Sequence, residues 1–260
     1  MNLNIKRKLE NAVAISVLVF IFKIIFPSSD NFFSLLFNEI LIAFAAFLWF
    51  VYLEEIIKNK SDSPLTLTLN VSVLALKIFL IYSLVMIFFN PVQKGIATSL
   101  AYSIAVAIIG SVFIGSITYL FTAFRELFYL RQKKDPKLYF NVMVILFGAT
   151  YFSSFLVKIE PDLNFIKNSF FVVSIVMIIV NSIRVAWIAF LSKRQKLYLL
   201  GASILLSVIF AVITGYTMDT KVLLNRILVD FSPGFYTIIS LMMIYATINF
   251  GVIFFTTLFH

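Results

Sequence analysis

The stretch ATSLAYSIAVAIIGSVFIGSITYLFTAFRELFYLRQKKDPK, from Ala97 to Lys137, decides the fold. It predicts one apolar helix over 97–130, followed by the most basic loop of the chain. A helix of that length is about 51 Å long at ~1.5 Å per residue. The hydrocarbon core of a bilayer is only ~30 Å thick. We therefore expect the end of this helix to project beyond the membrane.

Small residues recur along the same helix at every fourth position. Such a face lets helix backbones approach closely in lipid, where packing drives association. It fits a contact between two copies of the chain, which would make a homodimer, or a central helix packed inside its own bundle. The second interpretation is favoured. The face consists of Ser103, Ala107, Ser111 and Gly115.

Composition places the whole chain in the membrane. Of its 260 residues, 62% are hydrophobic and 13% are charged, and the mean hydropathy is +1.03. Soluble domains carry about 25% charged residues. Apolar runs of membrane-spanning length recur from end to end. The sequence predicts an all-α, polytopic transmembrane helical bundle forming a single domain over 1–260. Its eight predicted spans are 11–26, 32–55, 66–89, 97–130, 138–157, 166–191, 197–216 and 234–259.

Prolines and basic residues give the order and orientation of these spans. All six prolines fall between spans, where the missing backbone donor does no harm. Most loop Lys and Arg residues lie on the side of the amino terminus, including Lys6, Arg7, Lys8 and the loop up to Lys137. Because cytoplasmic loops are enriched in basic residues, both termini are predicted to be cytoplasmic. The net charge of +9 then reflects topology and contact with the lipid bilayer, and no nucleic-acid partner is expected.

Three ionisable residues fall within predicted spans, away from the basic loops. A lone charge in hydrocarbon costs about 2.5–3.5 kcal/mol on the most lenient scale. Lys77 falls near mid-membrane and Glu39 about two turns from the outer surface, so we expect them to pair. Lys23 lies close to that surface, where a lysine can extend its ammonium group to water. A Glu39–Lys77 pair would fit a ligand site or an ion pathway. A structural buried pair, or two side chains that reach water separately, is favoured.

A second polar group is predicted toward the cytoplasmic side. Asn181 and Arg184 are three residues apart and share a helix face. Interhelical hydrogen bonds from such side chains contribute about 0.6–2 kcal/mol each, so a role in joining helices is expected. The group consists of Asn141, Asn181, Arg184 and Asn249.

Two further segments have apolar residues at helical spacing. Phe124, Leu127 and Phe128 lie where the long fourth helix leaves the membrane, and are predicted to touch a cytoplasmic output domain. The segment 222–230 fits either a short helix lying on the membrane surface or a plain loop between helices.

Known catalytic patterns are missing from the sequence. There is no HExxH motif, no nucleotide-binding glycine loop and no cysteine, and the single histidine is His260. No catalytic residue, metal site or cofactor is therefore assigned to this chain. Any enzymatic activity is expected in a domain outside it.

The run FRELFYLRQKKDPKLYFNVMVILFGATYF (124–152), together with FFTTLFH (254–260), resembles the membrane portion of certain bacterial signalling proteins. In those proteins a multi-span region leads into a GAF domain and a stage-II-sporulation-E-type serine phosphatase, or into a histidine kinase. The resemblance implies a signal-input or anchor module in the bacterial inner membrane. Its output domain, in cis or in trans, is expected beyond residue 260. A transporter or channel subunit and a membrane scaffold protein remain as alternatives.

Overall fold

The computed structural model describes residues 3–26, 32–60, 64–89, 100–129, 137–183, 188 and 191–259 as a helical bundle, without a strand in these ranges. A short 3-10 turn, Pro161–Leu163, precedes α6. Arg184, His260 and the loop 130–136 lie outside the described residues. The helices are α1 Leu3–Ile25, α2 Phe32–Lys60, α3 Pro64–Phe89, α4 Leu100–Tyr129, α5 Lys137–Ile159, α6 Asn164–Ser182, α7 Lys193–Met218, α8 Leu223–Phe231 and α9 Pro233–Phe259.

Six helices in the described ranges are long and apolar enough to cross a membrane: α2, α4, α5, α6 with its preceding turn, α7 and α9. α1 falls short because charged residues flank its apolar part, with Lys8 and Glu10 before it and Lys23 near its end. In α3 the described apolar part is shorter, Leu65–Ile81. The predicted all-helical architecture is confirmed, and six of the eight predicted spans meet this criterion.

Four predicted boundaries differ from the structure by four residues or more. α1 begins at Leu3 and not at residue 11, and α2 ends at Lys60 and not at residue 55. The sixth span was expected to run to residue 191, but α6 ends at Ser182. At this end the Ile183 N–H donates to the Ile179 carbonyl oxygen at 3.2 Å. α7 begins four residues earlier than predicted because Ser192 forms a capping box with Gln195. The Ser192 hydroxyl accepts from the Gln195 N–H at 3.4 Å, and the Gln195 side-chain oxygen Oε1 accepts from the Ser192 N–H at 3.0 Å.

We call the end of the bundle that holds the start of α1 the near end, and the opposite end the far end. α4 and α9 are the most enclosed of the membrane-crossing helices. α4 packs against α1, α2 and α3, while α9 packs against α5, α6 and α7. α8 lies at the far end and contacts α4, α9, α3 and α7. The bundle therefore has two central helices with α8 joining them at one end.

α8 confirms that the segment 222–230 contains a short helix, one of the two expected alternatives, and packs it against the bundle. Most of its side chains are buried, including Leu224, Ile227 and Leu228. Phe231 lies so close to Gly110 of α4 that a Cβ at Gly110 would come within 2.2 Å of the ring. Only glycine allows this approach, and α8 is thereby buried in the bundle.

The outer surface of the bundle is apolar along the long helices. Large side chains such as Phe33, Phe152 and Phe165 are exposed on α2, α5 and α6. A soluble monomer rarely exposes contiguous apolar surface on this scale, whereas lipid tails accept it. Together with the six apolar helices, this surface identifies a multi-pass membrane protein.

Candidate functional site

Five buried polar residues meet at the far end, where α1 ends, α2 begins and α8 passes into α9. They come from α1, α2, α5 and the single residue between α8 and α9. Each is at most 9% exposed. We call this group the far-end cluster, and its members are Lys23, Asn38, Glu39, Tyr151 and Ser232.

The break between α8 and α9 explains why the cluster forms. A helix end leaves backbone carbonyl or N–H groups without partners inside the helix. Here α8 ends at Phe231 and α9 begins at Pro233, so two helix ends face each other across Ser232 inside the bundle. Within a membrane each unsatisfied backbone group costs several kcal/mol. Side chains from other helices supply partners.

Lys23 and Asn38 satisfy the carboxyl end of α8. The Lys23 ammonium donates to the Asp230 carbonyl oxygen at 3.0 Å and lies 5.7 Å from the centroid of the Phe231 ring. The Asn38 amide donates to the Phe231 carbonyl oxygen at 3.0 Å. A cation at this position also complements the partial negative charge of a helix carboxyl end.

Ser232 and Glu39 perform the matching role at the amino end of α9. The Ser232 hydroxyl accepts from the Phe235 N–H at 2.9 Å, which is the geometry of an N-cap. The same hydroxyl donates to Glu39 Oε2 at 2.6 Å. Pro233 occupies the first helical position, where its missing N–H costs nothing. A carboxylate beside a helix amino end is favoured by the helix dipole.

Gly234 gives the Glu39 carboxylate access to α9. A Cβ at Gly234 would lie 2.7 Å from Glu39 Oε2 and 3.0 Å from the Tyr151 ring. The Tyr151 hydroxyl in turn donates to the Glu39 carbonyl oxygen at 2.8 Å. Glycine at this position lets α2, α5 and α9 meet around one buried carboxylate.

One acidic and one basic side chain, Glu39 and Lys23, are buried in the cluster. Glu39 is 3% exposed and Lys23 is 2% exposed, and the charge of Lys23 acts on the Glu39 carboxylate. Asp230 continues the network toward the surface, because its Oδ2 accepts from the Tyr102 hydroxyl of α4 at 2.5 Å. Asp230 also lies 4.0 Å from the exposed Arg226. The network thus runs from α1 and α2 through α8 to α4.

The starting turn of α8 has an anchor of its own. The Asn225 amide donates to the Thr217 carbonyl oxygen of α7 at 2.7 Å and to the Tyr236 hydroxyl of α9 at 2.9 Å. Asn225 is buried. Both ends of α8 are therefore hydrogen-bonded to neighbouring helices.

The structure places Lys23, and not Lys77, in the same buried cluster as Glu39. Lys77 is exposed on the outer face of α3, so the expected Glu39–Lys77 pair is wrong. Depth in the membrane suggested Lys77, but the face of α3 that carries it points away from the bundle. Lys23 was expected to reach water, yet α8 covers it and offers it a carbonyl partner.

The second predicted polar group is not assembled as one cluster. Asn181 joins α6 to α5, with its amide donating to the Tyr139 carbonyl oxygen at 3.4 Å and to Met143 Sδ at 3.3 Å. This contact fits the expected role in joining helices. Asn249 is buried on α9, whereas Asn141 is exposed on α5. Arg184 lies outside the described residues.

The small-residue face of α4 lies inside the chain's own bundle for half of its length. Ser103 and Ala107 are buried, and the Ser111 hydroxyl is buried without a hydrogen-bond partner. Gly115 faces open space, with no heavy atom within 4 Å of an added Cβ. Ser103 and Ala107 therefore pack inside the chain's own bundle, as the favoured interpretation expects, whereas Gly115 does not.

Two of the three predicted coupling residues, Phe124 and Leu127, are buried inside the bundle. Phe124 is 1% exposed, and its ring centroid lies 5.0 Å from that of Tyr245 and 5.8 Å from that of Phe250, both on α9. Leu127 is buried as well. α9 extends alongside α4 at the near end and covers the part of α4 that was expected to project beyond the membrane. The side chain of Phe128 lies outside the described residues.

Two interhelical ion pairs hold the near end instead. Arg125 of α4 lies 2.8 Å from Glu54 of α2, and its guanidinium lies over the Phe50 ring at 5.2 Å from the centroid. Lys8 of α1 contacts Glu55 of α2. α2 is therefore fixed by charges at the near end and by the cluster at the far end.

Sequence reasoning identified Glu39 and Lys23 but missed the other members of the site. The run Ser232-Pro233-Gly234 contains the signal, because Ser before Pro is a typical helix start. Asn38 and Tyr151 gave no comparable signal. Among the described residues, no three His, Cys, Asp or Glu side chains are grouped so that they could hold a metal ion.

No family model, no curated protein and no solved structure matches the chain.

We predict that Ser232→Ala lowers the free energy of unfolding by about 2 kcal/mol or more, because it removes both an N-cap and a partner of buried Glu39. Unfolding in mixed micelles, followed by circular dichroism, measures the change. Ser169→Ala is the matched control, since the Ser169 hydroxyl is exposed and bonds only within α6, to the Phe165 carbonyl oxygen. Equal stability of the two variants would contradict the assigned role of Ser232.

Proposed function

We propose that the chain is a signal-input and anchor module of a bacterial signalling protein, embedded in the inner membrane. The observation that carries the proposal is the junction at Ser232. There a short far-end helix, α8, is tied to α1 and α2 and passes directly into α9. α9 then runs for 27 residues to the near end. A displacement of α8 would reach the opposite side of the membrane through one continuous helix.

In this proposal α1 and α3 also cross the bilayer, giving eight spans with both termini in the cytoplasm. The excess of Lys and Arg in the near-end loops supports that orientation. The output domain, in cis or in trans, would contact the near end of α9. Leu258 is 53% exposed and Phe259 is 80% exposed there, in contrast to the buried Phe124.

The orientation predicts that a fluorescent reporter fused after His260 is active in the cytoplasm. An alkaline phosphatase fused at the same position should be inactive, because it requires export. The opposite pair of results would overturn the topology and place the far end in the cytoplasm.

If α9 transmits displacements of α8, a substitution in the far-end cluster should shift the near end of α9. The chain contains no cysteine, so spin labels can be placed at Leu258→Cys on α9 and Leu138→Cys on α5, both exposed positions. Electron paramagnetic resonance then gives the distance between them. Adding Ser232→Ala should shift or broaden the distance distribution, since it frees α9 from Glu39.

Ser169→Ala is again the control and should leave the label distances unchanged. The same distribution in all three backgrounds would contradict coupling through α9. In that case the far-end cluster would serve stability alone, and the proposed input function would lose its support.

A further inference from the structure

An apolar groove lies on the side of the bundle between α2 and α5. Its volume is about 370 Å³, within the range of about 300–1,000 Å³ that is typical of ligand pockets. Ile117 of α4 and Met242 of α9 are buried and form its floor. Phe47 of α2 and Phe152 of α5 are exposed at its edges. The groove therefore opens sideways, between helices that cross the membrane.

The lining is almost entirely apolar, and its two hydroxyl groups donate their protons within the protein. Its polar side chains are Thr118 and Tyr151. The Thr118 hydroxyl donates to the Ile114 carbonyl oxygen at 2.7 Å, and the Tyr151 hydroxyl donates to the Glu39 carbonyl oxygen at 2.8 Å. Only a hydrocarbon occupant matches such a lining.

The length of the groove matches the hydrocarbon thickness of one lipid leaflet. Along α2 it runs from Ile42 to Phe50, which is about 12 Å at ~1.5 Å per residue. Half of a hydrocarbon core is about 15 Å. Its near-end mouth lies at Phe50, whose ring is covered by the guanidinium of Arg125. Arg125 is paired with Glu54 at 2.8 Å, and a guanidinium has five N–H donors, so Arg125 can also donate to the phosphate of a lipid whose acyl chain points toward the far end.

We propose that this groove binds one acyl chain of a glycerophospholipid from the near-end leaflet, with the phosphate at the level of Arg125. Such a lipid would fill the space between α2 and α5 and contact the Tyr151 ring beside the far-end cluster. The identity or chain length of the bound lipid could in this way affect the packing of the α8–α9 junction. The inference rests on the groove and does not require the proposed signalling role.

Gly148 provides a direct test. It lines the groove on α5, and a Cβ added there meets no heavy atom within 4 Å. Gly148→Leu should therefore fill the groove without disturbing the fold. Gly201 of α7 is the matched control, because it is an exposed glycine in a membrane-crossing helix and also has open space around its Cβ. Ala43→Phe fills the groove from the opposite wall.

The probe is phosphatidylglycerol carrying a photoreactive diazirine on one acyl chain, mixed into vesicles that contain the full chain. After illumination, mass spectrometry of peptides measures labelling at α2 and α5 residues of the groove. We expect labelling of the unchanged chain to exceed that of the exposed face of α7. Gly148→Leu and Ala43→Phe should each reduce groove labelling severalfold, whereas Gly201→Leu leaves it unchanged.

Three results would overturn the proposal. Groove labelling could equal that of the exposed face of α7, which would mean ordinary contact with surrounding lipid. It could persist unchanged in both filled variants while circular dichroism shows that they are folded. Peptides of a second copy could be cross-linked in place of lipid, which would identify the groove as a contact between chains.

Discussion

The buried break between α8 and α9 is the constraint on which the far end of the molecule depends. Two helix ends meet at Ser232 inside the bundle, and their backbone groups cannot all be satisfied by water or by their own helices. Lys23 and Asn38 bond the carbonyls that end α8, while Ser232 and Glu39 serve the first turn of α9. The hairpin of α1 and α2 therefore caps both sides of the break.

This arrangement explains why charged residues are retained in an apolar protein. A buried ion pair by itself is weak evidence for stability, because desolvation offsets much of the attraction. At the far end, each charge also bonds or faces a helix terminus whose dipole has the opposite sign. Lys23 lies at the carboxyl end of α8 and Glu39 at the amino end of α9. The hydrogen bonds and the helix dipoles therefore both favour Lys23 at the end of α8 and Glu39 at the start of α9.

Composition and helix periodicity were sufficient to predict a helical membrane bundle, because lipid requires continuous apolar helices. They also identified Glu39, since a charge within a span needs a partner. The choice of that partner depended on which face of α3 turns inward and on how α8 folds back, and neither is encoded in local spacing. Phe124 shows the same limit. The exposure of Phe124 was predicted because α4 is longer than the bilayer is thick. In the structure, Tyr245 and Phe250 of α9 pack against Phe124 and bury it.

A double-mutant cycle on Glu39 and Lys23 tests the central claim most directly. Glu39→Gln, Lys23→Met and the double variant would be compared by reversible unfolding in mixed micelles. We expect a coupling energy of about 1 kcal/mol or more, since each single change leaves the other buried charge unbalanced. The parallel cycle with Lys77→Met should be additive within about 0.5 kcal/mol. Additive Lys23 and Glu39 variants, or coupling to Lys77 in their place, would contradict the far-end cluster as described.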